Sequence, residues 1–587
     1  MAALIRLFRF LHESRGMLTA SFIFLLASTG LMLVQPLMIE YAIDHGIEAG
    51  SVAVILQGSA GILVAALLAA GLQLGSGYML IKSSQSMGYA MRNALFRKVM
   101  SFSFENLDHW RTGEVMVRLN SDVNTVRMFV RMGLFIIVQS VVLVAGAIVA
   151  MYLSDPKLAG IMAVFMPLAL VMFFIVATVI RPLFMKARAA LDELNNTLQE
   201  NLAGAKVVRA FARQVHELAK FGLRNENLYK ISLNVGYKLA LFFPLFFLFA
   251  QLATLVVIWA GGTTIISDFI SGTSGNLTLG KLVAFNNYAS MAMFPLLMLG
   301  MVLNFISMAM ASAIRLDVLF RENPGIEEKP NAVTLPRLEG RIEFRNVSFR
   351  YGQGEKALSN IDLTINPGEK LGIIGATGSG KSTLVNLIPR FYDPEEGSIL
   401  VDGIDVRDLA FDTLRTRIAI VLQETVLFSG TIRENIGYSA PKADQMQLSR
   451  AADIACASEF IDSKPEGWEA TVGERGAGLS GGQRQRVAIA RAVAADPDVI
   501  VLDDVTSSLD LATEKSIIEA LHRELEKRTT IIISQKIQTI RDADRIAVME
   551  NGHITAIGKH NDLLRSNETY RVIYETQSGS ARRASTA

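Results

Sequence analysis

The sequence predicts a membrane α-helical domain of six spanning helices fused to an α/β phosphate-loop domain. Three observations predict it. Six long stretches, all before about residue 315, lack any Asp, Glu, Lys or Arg. From Arg315 the composition changes to an ordinary mixture of charged and apolar residues. Finally, a glycine-rich segment, Gly375–Thr383, follows directly on a short apolar strand, Lys370–Ile374.

Whole-chain composition agrees. Of 587 residues, 51% are hydrophobic and 19% charged, with a mean hydropathy of +0.35, whereas soluble domains carry ~25% charged residues. The balance of 57 basic against 55 acidic side chains gives no electrostatic case for a nucleic-acid partner. A single cysteine, Cys456, excludes an internal disulfide and a cysteine-cluster metal site. It reads as a small buried apolar residue.

The six charge-free stretches are Met17–Ile39, Ser51–Ile81, Leu134–Ser154, Leu158–Ile180, Leu239–Ser267 and Leu282–Ile314. Each reaches the ~20 residues a helix needs to cross ~30 Å of hydrocarbon. Met1–Arg15 has basic residues but no cleavage-site pattern, so it does not read as a signal peptide. The first connector is acidic, with Glu40, Asp44 and Glu48. The second and fourth, residues 82–133 and 181–238, are long and rich in Lys and Arg. Such an excess marks the cytoplasmic side, so both termini and the second domain are expected there, in a multi-pass protein of the inner or plasma membrane. Met87–Met100 and Ala189–Gln199 mix good helix formers without Gly or Pro runs. The spanning helices are therefore expected to continue into the cytoplasm and turn back through short crossing helices near 102–117 and 203–219.

These patterns divide the chain into a membrane domain (1–320), a proline-containing linker (321–338), an α/β domain (339–578) and a small, basic, disordered tail (579–587). Strands are expected at Arg341–Phe349, Lys370–Ile374, Val499–Leu502 and Thr530–Ile533.

The chemistry sits in the second domain. The run Gly375, Ala376, Thr377, Gly378, Ser379, Gly380, Lys381, Ser382, Thr383 matches GxxxxGK[ST]. Glycines let successive backbone N–H groups point at phosphate oxygens where a helix starts. Lys381 then reaches the β- and γ-phosphates, and the Ser382 hydroxyl ligates Mg²⁺. The apolar strand at Val499 ends in Asp503, a carboxylate suited to orient Mg²⁺ from the neighbouring strand end. Ser480, Gly481, Gly482 and Gln483 form a second amide cluster at a helix start, plausible for a nucleotide held by another subunit.

With that segment, Leu479–Gln483, the chain resembles a half-transporter of the ATP-binding cassette exporter superfamily, whose signature is LSGGQ. The resemblance covers essentially the whole chain and implies a type IV exporter fold, with ATP and Mg²⁺ as its cofactors. By the same resemblance Tyr351 stacks on adenine. Gln423 senses Mg²⁺ and, with Glu474, faces the coupling helices. Ser508 and Asp510, in the run Ser507–Asp510, lie at the cassette dimer interface.

Two positions depart from the family pattern. Asp504 stands where the family has the Glu that polarises the attacking water, and Gln535 stands where it has a histidine. Aspartate is one methylene shorter, and misplacing a catalytic group by about 1 Å can reduce rate ~10²-fold. Glutamine can hydrogen-bond a γ-phosphate but cannot shuttle a proton. The expectation is one subunit of a heterodimeric exporter. A second half-transporter would restore Glu and His, its competent site would be completed by this chain's Ser480–Gln483, and most hydrolysis would occur there. A homodimer with slow sites is the alternative. Phenylalanines in the fifth span and methionines in the sixth suit an amphipathic drug or lipid moving out of the cytoplasm or inner leaflet. The alternative cargo is a more polar one such as a siderophore or peptide, whose intramembrane charge would have to come from the partner, since these spans offer none.

Overall fold

The computed structural model describes residues 2–271, 276–505, 511–524 and 527–584, which fall into two compact units. The first holds the residues up to Met100 together with Thr112–Glu322. Its principal helices are α1 (Arg15–Ala42), α2 (Val52–Met100), α3 (Leu134–Ser154), α4 (Pro156–Ala203), α5 (Gln214–Ser271) and α6 (Leu279–Arg321). Among the described residues, six helical runs are long and apolar enough to cross a membrane.

At 1.5 Å per residue, α2 with 49 residues and α5 with 58 reach about 74 and 87 Å. That is more than twice a ~30 Å hydrocarbon layer, so both continue well beyond it. Helices α1, α4, α5 and α6 run through internal prolines (Pro36, Pro167, Pro182, Pro244, Pro295), which membrane bundles tolerate because neighbouring groups re-satisfy the freed carbonyls. Small residues bring α1 and α2 together: Ser21 and Ser76 each donate a hydroxyl to the other's carbonyl at 2.9 Å. Asp155 stops α3 and caps α4, accepting from the backbone of Lys157 and Leu158 with Pro156 in the first turn. The first crossing stretch holds two short helices, Phe104–His109 and Thr112–Val117, whereas the second is briefer than expected, with the single helix Ala205–Ala210.

The second unit holds Asn323–Ala587 together with Ser101–Arg111. Besides a two-stranded pair, Gly430–Thr431 with Thr471–Val472, its strands are β1 (Ile342–Arg350), β2 (Lys356–Ile365), β3 (Lys370–Gly375), β4 (Glu396–Val401), β5 (Ile404–Asp405), β6 (Ile418–Val421), β7 (Val499–Asp503), β8 (Thr529–Ile533), β9 (Arg545–Glu550) and β10 (His553–Gly558). They build an antiparallel sheet ordered β2-β1-β4-β5 and a six-stranded sheet ordered β10-β9-β3-β8-β7-β6. Within the latter, β9, β3, β8, β7 and β6 are parallel. The four expected strands are present, but β8 lies between β3 and β7. The phosphate-loop strand and the Asp503 strand are therefore not neighbours, because nothing in local periodicity encodes strand order.

The domain division also differs from the expectation. Ser101–Arg111 packs with the cassette because Phe104 stacks on Phe391 with centroids 4.2 Å apart and Tyr392 donates to Asp108 at 2.8 Å. The linker lies against the same unit: Val333 N–H bonds the Asp408 carbonyl, and Leu338 N–H bonds Asp498. At the far end, helix α10 (Glu568–Ala584) runs into the stretch expected to be a disordered tail; its alanines and arginines are good helix formers. Here α7 is Lys381–Asn386, α8 is Gly481–Ala494 and α9 is Leu511–Glu524. Cys456 packs half-buried against the core as expected, and burial pushes its thiol up.

Candidate nucleotide-binding site

The glycine loop is set by backbone geometry. Gly378 and Gly380 have φ of +84° and +97°, and a Cβ on Gly380 would meet the Ala357 carbonyl at 2.7 Å. No other residue fits there without moving the loop. Helix α7 follows at once, and its first residue, Lys381, folds its ammonium back onto the carbonyls of Gly375 (2.9 Å) and Ala376 (2.7 Å). Burial holds the Lys381 ammonium below its ordinary range, while Asp503 and Asp504 oppose that shift. Ser379 is buried in the loop.

Asp503 ends β7, nearly inaccessible to solvent. Its carboxyl is pushed up by burial, against a hydrogen bond with Ser382; the neighbouring Asp504 charge pushes the same way as burial. Asp504 adopts a φ of +49° and is likewise buried, with its backbone N–H on the Ile533 carbonyl at 3.0 Å. Burial raises its carboxyl too, against Lys381 and Lys536. Parallel register pairs Asp503 with Ile533, so Gln535 emerges beside it. There the Gln535 amide donates to the Asp504 carboxylate at 3.2 Å. The two departures from the family pattern thus meet each other.

Tyr351 is about two-fifths exposed, its hydroxyl donating to Thr383 at 3.2 Å and its ring edge-on to Phe349 and Tyr392. It leaves an open face beside the loop. Gln423 is exposed just past β6, whose register pairs Val421 with Leu502; this puts it at the same sheet edge as Asp503. Ser480 caps α8 through a reciprocal box: its hydroxyl accepts from Gln483 N–H (3.2 Å) and the Gln483 side chain accepts from Ser480 N–H (3.0 Å). Gly481 and Gly482 form the first turn. Glu474 is exposed in a short turn. Ser508 and Asp510 lie outside the described residues.

Sequence reasoning brought Lys381, Ser382, Asp503, Asp504 and Gln535 to one corner, and the fold gathers them. It missed three supports. Gln577 of α10 donates to the Gln535 carbonyl at 2.7 Å. Lys536 pairs with Glu514 of α9 at 2.8 Å. Tyr392 and Phe391 form the seat of the short helix Phe104–His109. Only Lys536, adjacent to Gln535, had a local signal.

Comparison with known proteins finds matches along nearly the whole chain. The family described as ABC transporter transmembrane region matches residues 18–296, and that described as ABC transporter matches residues 358–507. The uncharacterized ABC transporter ATP-binding protein YknV of Bacillus subtilis is 35% identical over 575 residues, covering 97% of this chain and 93% of that protein. The ATP-dependent lipid A-core flippase of Desulfotalea psychrophila is 35% identical over 499 residues, covering 85% and 86%. The solved structure of a bacterial Atm1-family ABC exporter with ATP bound aligns with a TM-score of 0.78 at 27% identity, covering 96% of this chain and 98% of that one.

Proposed function

Since the chain belongs to the ABC transporter family and has the exporter arrangement of membrane and ATP-binding domains, we propose that it is the degenerate-site subunit of a heterodimeric ATP-driven exporter. The observation that carries this reading is the Gln535–Asp504 hydrogen bond. A general base must reach the water it activates. Here the base position holds a shortened carboxylate engaged by an amide. Glutamine in turn offers no proton-transferring group to the γ-phosphate.

Binding is a different matter. The loop amides, Lys381 and an exposed Tyr351 suit ATP. Ser382 and Asp503, hydrogen-bonded to each other, are the oxygen donors Mg²⁺ takes; bound there, the ion would neutralise β- and γ-phosphate charge. Ser480–Gln483, capped and exposed on α8, would complete a partner's competent site. Gln423 and Glu474, both exposed, are the residues this reading assigns to relaying the cassette's state. Ser508 and Asp510 would lie at the cassette interface. The cargo is an amphipathic drug or lipid taken from the cytoplasm or inner leaflet. The charge-free spans and the flippase named among the relatives support that class.

The test is steady-state ATPase of this chain alone against the chain co-expressed with a half-transporter carrying Glu and His at the two positions. The pair should be at least ten-fold faster, and inverted vesicles should take up cargo with ATP. Full activity from this chain alone would overturn the heterodimer in favour of a homodimer.

A further inference from the structure

In the loop that carries Gln535, each backbone N–H from Ser534 to Ile537 has a partner. Ser534 N–H bonds the Ile373 carbonyl of β3 at 3.2 Å. Gln535 N–H bonds the Asp504 carboxylate, and Lys536 N–H bonds the Ser534 hydroxyl oxygen at 3.0 Å. Ile537 N–H bonds Oε1 of Gln577 at 3.0 Å. The same Gln577 amide donates through Nε2 to the Gln535 carbonyl at 2.7 Å. One side chain thus brackets residue 536 as a neighbouring strand would.

Gln577 can hold this loop because its own helix is held. Tyr570, in the first turn of α10, is fully buried, and its hydroxyl shares a hydrogen bond with His560 Nδ1 at 2.8 Å. Ile573 and Tyr574 pack against the same core. Gln577 follows Tyr570 by about two turns and so lies on the same face of the helix. A second helix holds the loop elsewhere: Lys536 donates to Glu514 of α9 at 2.8 Å, and Glu514 also accepts from Thr539. The Lys536 side chain and the peptide that precedes it are therefore secured by different helices.

We infer that Gln577 is a positioning residue of the nucleotide site, acting through Gln535 to make the site prefer ATP over ADP. The inference rests on the reading of this corner as an ATP site. A glutamine amide has two N–H donors. One from Gln535 bonds Asp504 at 3.2 Å; the other can meet an oxygen of the γ-phosphate, the group ADP lacks. Where that amide stands depends on the backbone torsions of Gln535, and the bond from Gln577 to its carbonyl fixes the peptide on one side. With the bond removed, that peptide can turn, and ordering it again costs part of the γ-phosphate's binding energy. The loop presents one backbone acceptor and one backbone donor, and an amide side chain meets both from a single flat group.

The experiment uses the full chain in lipid nanodiscs and calorimetric titration with two Mg²⁺ complexes, that of the β,γ-imido analogue of ATP and that of ADP. Gln577→Met keeps the length of the side chain and removes its amide. Affinity for the ATP analogue should fall about ten-fold, the worth of one hydrogen bond to a charged group. Affinity for ADP should stay within about two-fold, which also reports that the site is folded. On a Gln535→Ala background, Gln577→Met should cause no further fall, since a residue that acts through another has nothing left to position. A second measurement needs no variant. By residue-resolved hydrogen exchange, Ile537 N–H should be protected, although the first N–H groups of a helix have no partner within it.

An unchanged ratio of the two affinities in Gln577→Met would overturn the positioning role. So would an equal loss for both nucleotides, the mark of a general defect in the fold. A further fall on the Gln535→Ala background would show that Gln577 acts by another route, and unprotected Ile537 in the unmodified chain would remove the clamp itself. In each of these cases the unmodified chain still binds nucleotide, so the ATP-site reading stands. Binding of neither nucleotide by the unmodified chain would remove that reading and the inference with it.

Discussion

The glycine loop after β3 and the corner made by Asp504 and Gln535 lie at the ends of three successive strands, β3, β8 and β7, and are built in different ways. The loop is made of backbone. Positive φ at Gly378 and Gly380, and a carbonyl 2.7 Å from any Cβ on Gly380, tie its shape to glycine. The corner is made of side chains: a carboxylate, an amide and the Gln577 clamp on the Gln535 carbonyl. A backbone device cannot be altered without disturbing the fold around it, whereas a side-chain device can be altered one residue at a time. In a cassette, phosphate binding and bond cleavage are therefore separable properties, and the proposed degenerate site is what their separation looks like.

That contrast can be broken or sharpened by substitution. The largest effect is expected from Lys381→Ala, which removes the cation from the loop. ATP affinity at this site should fall on the order of 10²-fold or more, measured by calorimetric titration, with the partner's turnover read separately. Binding at the unmodified level would show that the amides alone suffice. Next, Asp504→Glu restores the missing methylene. Turnover at this site should rise by up to ~10²-fold with little change in KM; an unchanged rate would count against the geometric account.

Gln535→His should add a smaller gain, about ten-fold, the worth of one charge-assisted hydrogen bond to phosphate. It should also introduce a rise in activity as pH falls through ~6.5, where the unmodified chain has no titrating group at that position. A rate profile identical to that of the parent would argue that position 535 never faces the γ-phosphate.

The smallest effect concerns stability. Burial raises the Asp504 carboxyl above its ordinary value, so the folded state holds the proton more tightly than the unfolded one. The associated stability is fully present below the ordinary aspartate value of ~3.9 and is lost as pH rises through the raised one. Asp504→Asn should therefore increase the thermal midpoint near pH 7.5 and leave it unchanged near pH 4. A gain of equal size at both values would point to packing instead of ionisation.

Much of this was legible in the sequence, for reasons that differ between regions. Absence of charge identified the spans because hydrocarbon tolerates no unpaired ions. Glycine at 378 and 380 announced the loop because the conformation there excludes other residues. Asp503 followed from its position at the end of an apolar strand, and Asp504 and Gln535 from the resemblance to the ATP-binding cassette family. By contrast, the insertion of β8 between β3 and β7, the Gln577 clamp and the Glu514–Lys536 pair all depend on contacts between distant segments. No period or propensity records them. The linker looked free because prolines and alternating charges suit an extended chain, yet the same charges find partners: Arg337 bonds both Asp496 and Asp498.

The short helix Phe104–His109 has a consequence in time. Asp108 and its partner Tyr392 are 284 residues apart in the chain. At ~5–20 residues per second of synthesis, the helix waits roughly 15–60 s after it is made before the surface that receives Phe104 exists. Throughout that interval an aromatic side chain stands without its stacking partner. Assembly of the cassette is thus not complete until an early segment of the nascent chain is collected by a late one. A truncated cassette beginning at residue 323 would lack that segment permanently, leaving Phe391 without its stacking partner.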